Sequence, residues 1–147
     1  MSFSACSADI CADARTLTMS IIRYSLDHEY VRQGSAGIAI IGISAWASNM
    51  LGAIMSVQLS TVGTIIKAGE TIAILESTKA VSEVFTPLSG EIITVNPLVL
   101  EHPEFINEDP LNKGWLCQLT RINATELMQL LDEDSYAQYC TNFTALR

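Results

Sequence analysis

"ETIAILESTKAVSEVFTPLSGEIITVN", Glu70 to Asn96, decides the fold of this 147-residue chain. Ile72, Ala73, Ile74 and Leu75 lead into four polar residues, Glu76, Ser77, Thr78 and Lys79, and Ala80, Val81, Val84 and Phe85 lead away again. Two short apolar runs of this kind around a polar tetrapeptide predict a β-hairpin built on a type I turn. Lys79 is the only Lys or Arg between Lys67 and Lys113, and it stands at the tip. By itself a lysine there is a solvated turn residue, because connecting segments run over the surface.

Outward from the hairpin the chain reads as strands and turns. "STVGT" and "KAGE" bracket the short run Ile65 to Ile66, and Gly90 opens a strand from Glu91 to Val95. "VGTII" (Val62 to Ile66) resembles "SGEII" (Ser89 to Ile93), with the glycine in the same place, which suggests a pseudo-twofold sandwich of short strands. Toward the N-terminus, Glu29 to Gln33 turns through "GSAG" into Ile38 to Ile43. Ser44 is placed to cap a short helix, Ala45 to Leu51, that Gly52 closes, and Ile54 to Leu59 follows as a strand.

That last region belongs to a run from Gln33 to Ile66 without Asp, Glu, Lys, Arg or His. The run exceeds the roughly 20 apolar residues of a spanning helix. Gly37, Gly42 and Gly52 punctuate it, and Ser44, Ser48, Asn49, Ser56 and Gln58 interrupt it, so it reads as two strands and a helix rather than a membrane span. Beyond Val95, Pro103, Pro110 and Asn112 predict an irregular crossing before a last strand, Trp115 to Thr120. Asn123 with Glu126 three residues on is a capping-box pattern, and Leu127, Leu130 and Leu131 give the C-terminal helix one apolar face to lay on a sheet.

Composition narrows the function classes. Eight Lys plus Arg against sixteen Asp plus Glu give a net charge of −8, which disfavours nucleic acid as a partner. Cys6, Cys11, Cys117 and Cys140 form no CxxC pair and have no histidine at ligand spacing, so free thiols are expected and no metal. With only His28 and His102 available, no Ser-His-Asp or Cys-His constellation assembles.

In order and at the right distances, "YSLDHEYV", "GIAIIGIS", "LESTKAVSEVFTPLSGEIITVN", "PEFINEDPLNKGWL" and "LMQLLDEDSYAQY" resemble the H protein of the glycine cleavage system, over Tyr24 to Tyr139. The resemblance implies a mainly β fold with flanking helices, a barrel-sandwich hybrid of the lipoyl-domain type with a C-terminal helix, over residues 21–147. It implies that Lys79 carries lipoic acid in amide linkage, with Glu76, Gly63 and Gly90 matching positions that the family's modified hairpin shares. The protein would then be no enzyme but a shuttle for the aminomethyl group and reducing equivalents. Its implied partners are glycine decarboxylase (the pyridoxal-phosphate P protein), aminomethyltransferase (T protein), dihydrolipoyl dehydrogenase (L protein), and a lipoate ligase or lipoyl/octanoyl transferase.

Chemistry agrees with those residue types. A lysine at a hairpin tip gives a long exposed tether, and acylation removes its charge. A tethered carrier turns successive encounters into near-intramolecular ones and needs no catalytic residue of its own. In the family the loaded arm retreats into a cleft, and the carboxylates suited to an ammonium-like load are Glu29 and Glu83, which could equally be solvated strand residues. His28 is expected to be a structural hydrogen-bonding residue.

Some positions depart from the family pattern. Thr78 replaces the usual valine, Ala45 and Ala53 stand where acidic residues are common, and Tyr30 follows "HE" in place of tryptophan. Leu111 and Asn112 replace a Tyr-Gly pair, with Asn112 able to take a left-handed backbone. Ala45 and Ala53 keep open an H-like lipoyl relay that serves lipoate transfer or another modification pathway. A biotin carrier is disfavoured by Thr78 and Ala80, where methionines would flank the lysine.

Residues 1–20 have one Arg against Asp9 and Asp13 and no sustained apolar core. They resemble neither a transit peptide nor a secretory signal, and are expected to be a disordered extension, or no extension if translation begins at Met19. The expected protein is a cytoplasmic monomer without a membrane segment.

Overall fold

A computed structural model describes residues 22–34 and 37–145, the last four without their side chains. The expectation for residues 1–20 lies outside the described residues.

Among the described residues nine strands form two antiparallel sheets. In chain order they are β1 (Ile22–Tyr24), β2 (Glu29–Gln33), β3 (Ala39–Ile43), β4 (Ile54–Leu59), β5 (Ile65–Ile66), β6 (Thr71–Ser77), β7 (Val81–Phe85), β8 (Gly90–Val95) and β9 (Cys117–Thr120). The larger sheet has the order β1-β2-β3-β9-β8-β5 and the smaller β4-β6-β7. Neither closes on itself. Alternation along the strands sends Val31, Ile41, Val57, Leu75, Val84, Ile92 and Leu119 into one core. Each such side chain removed fully from water contributes about 2 kcal/mol. Cys117 lies in this core, where burial pushes its thiol up to about 12, and Cys117 and Cys140 are both free thiols.

The stretch without charges is built as its sequence predicts. β2 and β3 pair from Glu29↔Ile43 to Gln33↔Ala39, and helix α1 (Ala45–Leu51) follows. The Ser44 hydroxyl accepts the Ala47 N–H, and Gly52, at φ 79°, turns the chain into β4. Among the described residues no helix is long and apolar enough to cross a membrane. The two similar pentapeptides lie side by side: Ile65 pairs with Glu91 and Ile66 with Gly90. The Gly63 N–H donates to the Ile92 carbonyl at 2.7 Å, and the Ile92 N–H to that of Thr64 at 2.9 Å.

Four expectations are corrected. The crossing after Val95 is not irregular but holds helices α2 (Pro97–Glu101) and α3 (Glu104–Glu108). Asn96 caps the first, and Pro97 sits in its first turn, where a missing N–H costs nothing. The last strand begins at Cys117 rather than Trp115, because the Trp115 carbonyl accepts from the Asn96 side chain at 2.8 Å. Asn123 caps the Thr125 N–H as expected, but Glu126 does not reach back to complete a box. Its carboxylate accepts the Ser89 N–H and hydroxyl, at 2.8 and 2.9 Å, and ties α4 (Ala124–Met128) to the turn before β8. The helical tail is also in two pieces, α4 and α5 (Glu133–Ala145), with Leu131 between them bridging to Tyr24. Asn112 keeps a negative φ; its turn is closed by the Asp109 carbonyl, which accepts from Asn112 and Gly114.

Candidate functional site

The hairpin tip is tighter than a four-residue loop. Glu76 and Ser77 belong to β6, Glu76 faces Val81, and the Ser77 N–H donates to the Ala80 carbonyl at 2.9 Å, leaving Thr78 and Lys79 at the turn. The Ser77 hydroxyl oxygen accepts the N–H groups of both Lys79 and Ala80. Neither Thr78 nor Lys79 takes a positive φ, so this is not one of the primed two-residue turns.

The tip is held from below and exposed above. The Thr78 N–H donates to the Ala53 carbonyl at 3.0 Å, which pins the turn to the connection between α1 and β4. Lys79 is exposed, and its stem passes over Gly52: a Cβ built on that glycine would lie 3.4 Å from the Lys79 Cε and 3.4 Å from the Thr78 Oγ1. Beside it, exposed Glu76 accepts the Ser56 hydroxyl at 3.0 Å. The other two family positions lie on the six-stranded sheet rather than at the tip. Gly63 forms the left-handed turn before β5, and Gly90 opens β8, where a Cβ would meet the Thr120 carbonyl oxygen at 2.7 Å.

From Gly52 the helix α1 leads back along a cavity of about 220 Å³. Trp46, Ala47, Met50 and Leu51 line it from α1, Ser82, Glu83 and Val84 from β7, and Asp27, His28 and Glu29 from the start of β2. Glu29 and Glu83, named from sequence as cleft carboxylates, therefore share one cavity. A larger groove of about 580 Å³ runs past Ile65, Lys67, Gly90 and Arg121, but it adjoins neither Lys79 nor these carboxylates.

The two carboxylates differ in setting. Glu83 is exposed and accepts the Thr71 hydroxyl at 2.8 Å. Glu29 is not a solvated strand residue: it is 3% exposed and spans the two sheets, accepting from the Ser25 hydroxyl at 2.7 Å and the Phe85 N–H at 3.3 Å. Burial raises its pKa to about 7, against the pull of those two hydrogen bonds. It thus titrates near neutrality.

His28 takes a left-handed backbone, φ 70°, and stacks on Trp46 with ring centroids 4.1 Å apart. Its Nδ1 lies 2.8 Å from the Tyr136 hydroxyl, which is 2.6 Å from the Ser44 hydroxyl. Burial lowers the His28 pKa, opposed by Asp27. Tyr136, Trp46, Met50 and Ser25 were not singled out from the sequence. Only the i, i+4 spacing of Trp46 and Met50 on one helix face hinted at two of them. Among the described residues no group of His, Cys, Asp and Glu could hold a metal ion.

Residues 22–143 match the profile of the family described as Glycine cleavage H-protein. The chain is 41% identical over 121 residues to the glycine cleavage system H protein of Xanthobacter autotrophicus, covering 82% of this chain and 96% of that one. It is 42% identical over 117 residues to that of Stenotrophomonas maltophilia, covering 80% and 89%. A crystal structure of the H protein from Mycobacterium marinum superposes with a TM-score of 0.71 at 33% identity, covering 82% of this chain and 96% of that one.

Proposed function

This chain belongs to the glycine cleavage H-protein family, a non-catalytic, lipoyl-carrying component of the glycine cleavage system, and from that premise we propose that Lys79 bears the lipoyl arm. The observation that carries the assignment is the exposed Lys79 at a tip pinned by the Ala53 carbonyl, its stem lying over Gly52 at the end of the helix that lines a cavity with two carboxylates. The residues fit such a group. A bare glycine leaves room beside the tether, Met50, Leu51 and Val84 offer an apolar wall to an aliphatic chain, and Glu29 and Glu83 suit a cationic end. When attached, the group would supply a dithiolane able to take up an aminomethyl group together with the two electrons that open its disulfide.

The chain's own residues bind and shield. Glu29 near its midpoint at neutral pH can meet a cationic guest as a carboxylate and an uncharged one as a carboxylic acid. A cation in the cavity would release the Glu29 proton, so retention of the load strengthens as pH rises through about 7. Glu83 sits at the exposed side of the cavity and supplies a second negative charge there.

P, T and L proteins of the glycine cleavage system are the partners of the carrier. The modifying partner is a lipoate ligase or a lipoyl or octanoyl transferase. Glu76 is its direct contact beside Lys79, while Gly63 and Gly90 contribute indirectly, by shaping the six-stranded sheet against which the hairpin's own sheet packs. The carrier works as a cytoplasmic monomer, and 21–147 is its working domain. The test is mass spectrometry of the tip peptide after incubation with a lipoate ligase, followed by glycine decarboxylation with P, T and L proteins. A lipoyl increment on Lys79 and turnover support the assignment; an unmodified Lys79, or an increment elsewhere, overturns it.

A further inference from the structure

We infer that Tyr136, on the C-terminal helix, is a positioning residue for the arm cavity, acting through His28. The inference rests on the carrier reading above. His28 supplies one wall of the cavity, yet its backbone sits at φ 70°, a conformation that non-glycine residues hold only when surroundings fix them. Contacts on several sides fix it, among them the His28 N–H to the Ser25 carbonyl at 3.2 Å and the Tyr139 ring at 5.5 Å. The imidazole stacks on Trp46 at 4.1 Å, its carbonyl accepts the Ser44 N–H at 2.9 Å, and its Nδ1 meets the Tyr136 hydroxyl at 2.8 Å.

The Tyr136 hydroxyl also meets the Ser44 hydroxyl at 2.6 Å, and Ser44 is the N-cap of the helix that carries Trp46, Met50 and Leu51. One phenol on α5 thus ties together two adjoining segments of the cavity wall, the 25–28 turn and the start of α1. The ring itself is anchored independently, stacked on Tyr24 at 4.1 Å and 7°. Tyr139 adds a second tie, its hydroxyl donating to the Leu26 carbonyl at 3.1 Å. Among the described residues the helix lends no side chain to the cavity lining, and it reaches the wall through these bonds and through the Tyr136 and Tyr139 rings, 5.7 and 5.5 Å from the imidazole.

Removing only the hydroxyl separates positioning from folding, because Tyr136→Phe keeps the stack on Tyr24. The titratable groups facing His28 are Asp27, Tyr136 and Tyr139, with Glu29 adjacent, and the test is run at one pH to hold them fixed. Three variants are compared with the parent: Tyr136→Phe, His28→Gly, which suits φ 70° and deletes the ring, and the pair together. Two quantities are read. One is the set of His28 ring and Trp46 indole resonances in the unmodified protein; the other is the lifetime of the amine load on the lipoylated protein, followed by mass of the tip peptide.

Tyr136→Phe is expected to shift both sets of resonances and to shorten the load lifetime about fivefold, the worth of one ordinary hydrogen bond. Lipoylation of Lys79 should be unchanged. If Tyr136 acts through His28, the double variant loses much less than the product of the two single losses, the remainder being the bond to Ser44. Unchanged resonances and lifetime in Tyr136→Phe, or losses that multiply in the double variant, overturn the inference. Absence of lipoyl on Lys79 in the parent protein would instead sink the carrier reading, and the resonances of the unmodified protein would still decide whether Tyr136 sets the wall.

Discussion

Glu29 and Phe85 join the two sheets through a single polar bond: the Phe85 N–H on β7 donates to the Glu29 carboxylate on β2 at 3.3 Å, inside the rim of the cavity. A carboxylate so placed is costly when charged. With its folded pKa raised from 4.5 to about 7, Glu29 favours the folded state fully below pH 4.5, and that contribution fades as pH rises through 7. Glu29→Gln should keep both hydrogen bonds, the amide oxygen accepting from Phe85 and the amide nitrogen donating to Ser25. It should therefore remove a pH-dependent loss on the order of 2 to 3 kcal/mol between pH 5 and 8. Urea unfolding at the two pH values measures this, and parallel pH profiles for parent and variant would refute it.

The hairpin, the Ser44 cap and the Gly52 turn were legible because each is specified within a few residues by polar breaks and capping chemistry. Lys79 and the pair Glu29 and Glu83 became site residues through the family resemblance, since a tip lysine or strand carboxylate alone carries no address. What the sequence hid is long-range. Glu126 reads as the partner of Asn123 three residues away, but Ser89, 37 residues back, offers it an N–H and a hydroxyl together. His28 and Tyr136 are 108 residues apart, and no periodicity announces their contact. Pro103 and Pro110 read as breakers, although helices α2 and α3 fit between and before them.

Lys79→Arg should fold as the parent does and carry no lipoyl group, because the guanidinium keeps the charge at an exposed tip but is a poor acyl acceptor. Glu76→Ala loses one bond from Ser56 on an exposed face, so its stability should change by less than about 1 kcal/mol while the extent of modification falls. Tip-peptide mass and a melting curve read both variants. A lipoyl increment in Lys79→Arg would remove Lys79 from the site. A large drop in melting temperature with full modification in Glu76→Ala would make Glu76 a structural residue.

Gly52→Ala should couple stability to the tip. At φ 79° and ψ −163°, a region essentially reserved to glycine, an alanine is strained by about 1 to 3 kcal/mol, and its Cβ would come into contact with the Lys79 stem and the Thr78 hydroxyl at 3.4 Å. Both neighbours are side-chain atoms of an exposed turn and can yield. The expected result is a modest loss of stability with a slower rate of lipoylation. Unaltered lipoylation kinetics would show that the tether does not use the space over Gly52.

Gly90→Ala should behave in the opposite sense to Glu76→Ala. The added methyl meets a carbonyl oxygen of the neighbouring strand at 2.7 Å and the Leu119 side chain at 3.4 Å, and the backbone of β9 cannot retreat without breaking its ladder with β3 and β8. A core overpacked in this way loses about 1 to 3 kcal/mol. Gly90 is nevertheless remote from the tip: it pairs with Ile66 on the six-stranded sheet, whereas Lys79 crowns the three-stranded one. Modification should therefore fall only in proportion to folded protein, so that lipoylation per folded molecule, from tip-peptide mass and circular dichroism on the same sample, matches the parent. A lower ratio in Gly90→Ala would mean that the modifying enzyme reads the surface around β8 directly, and would extend its footprint from the hairpin to the six-stranded sheet.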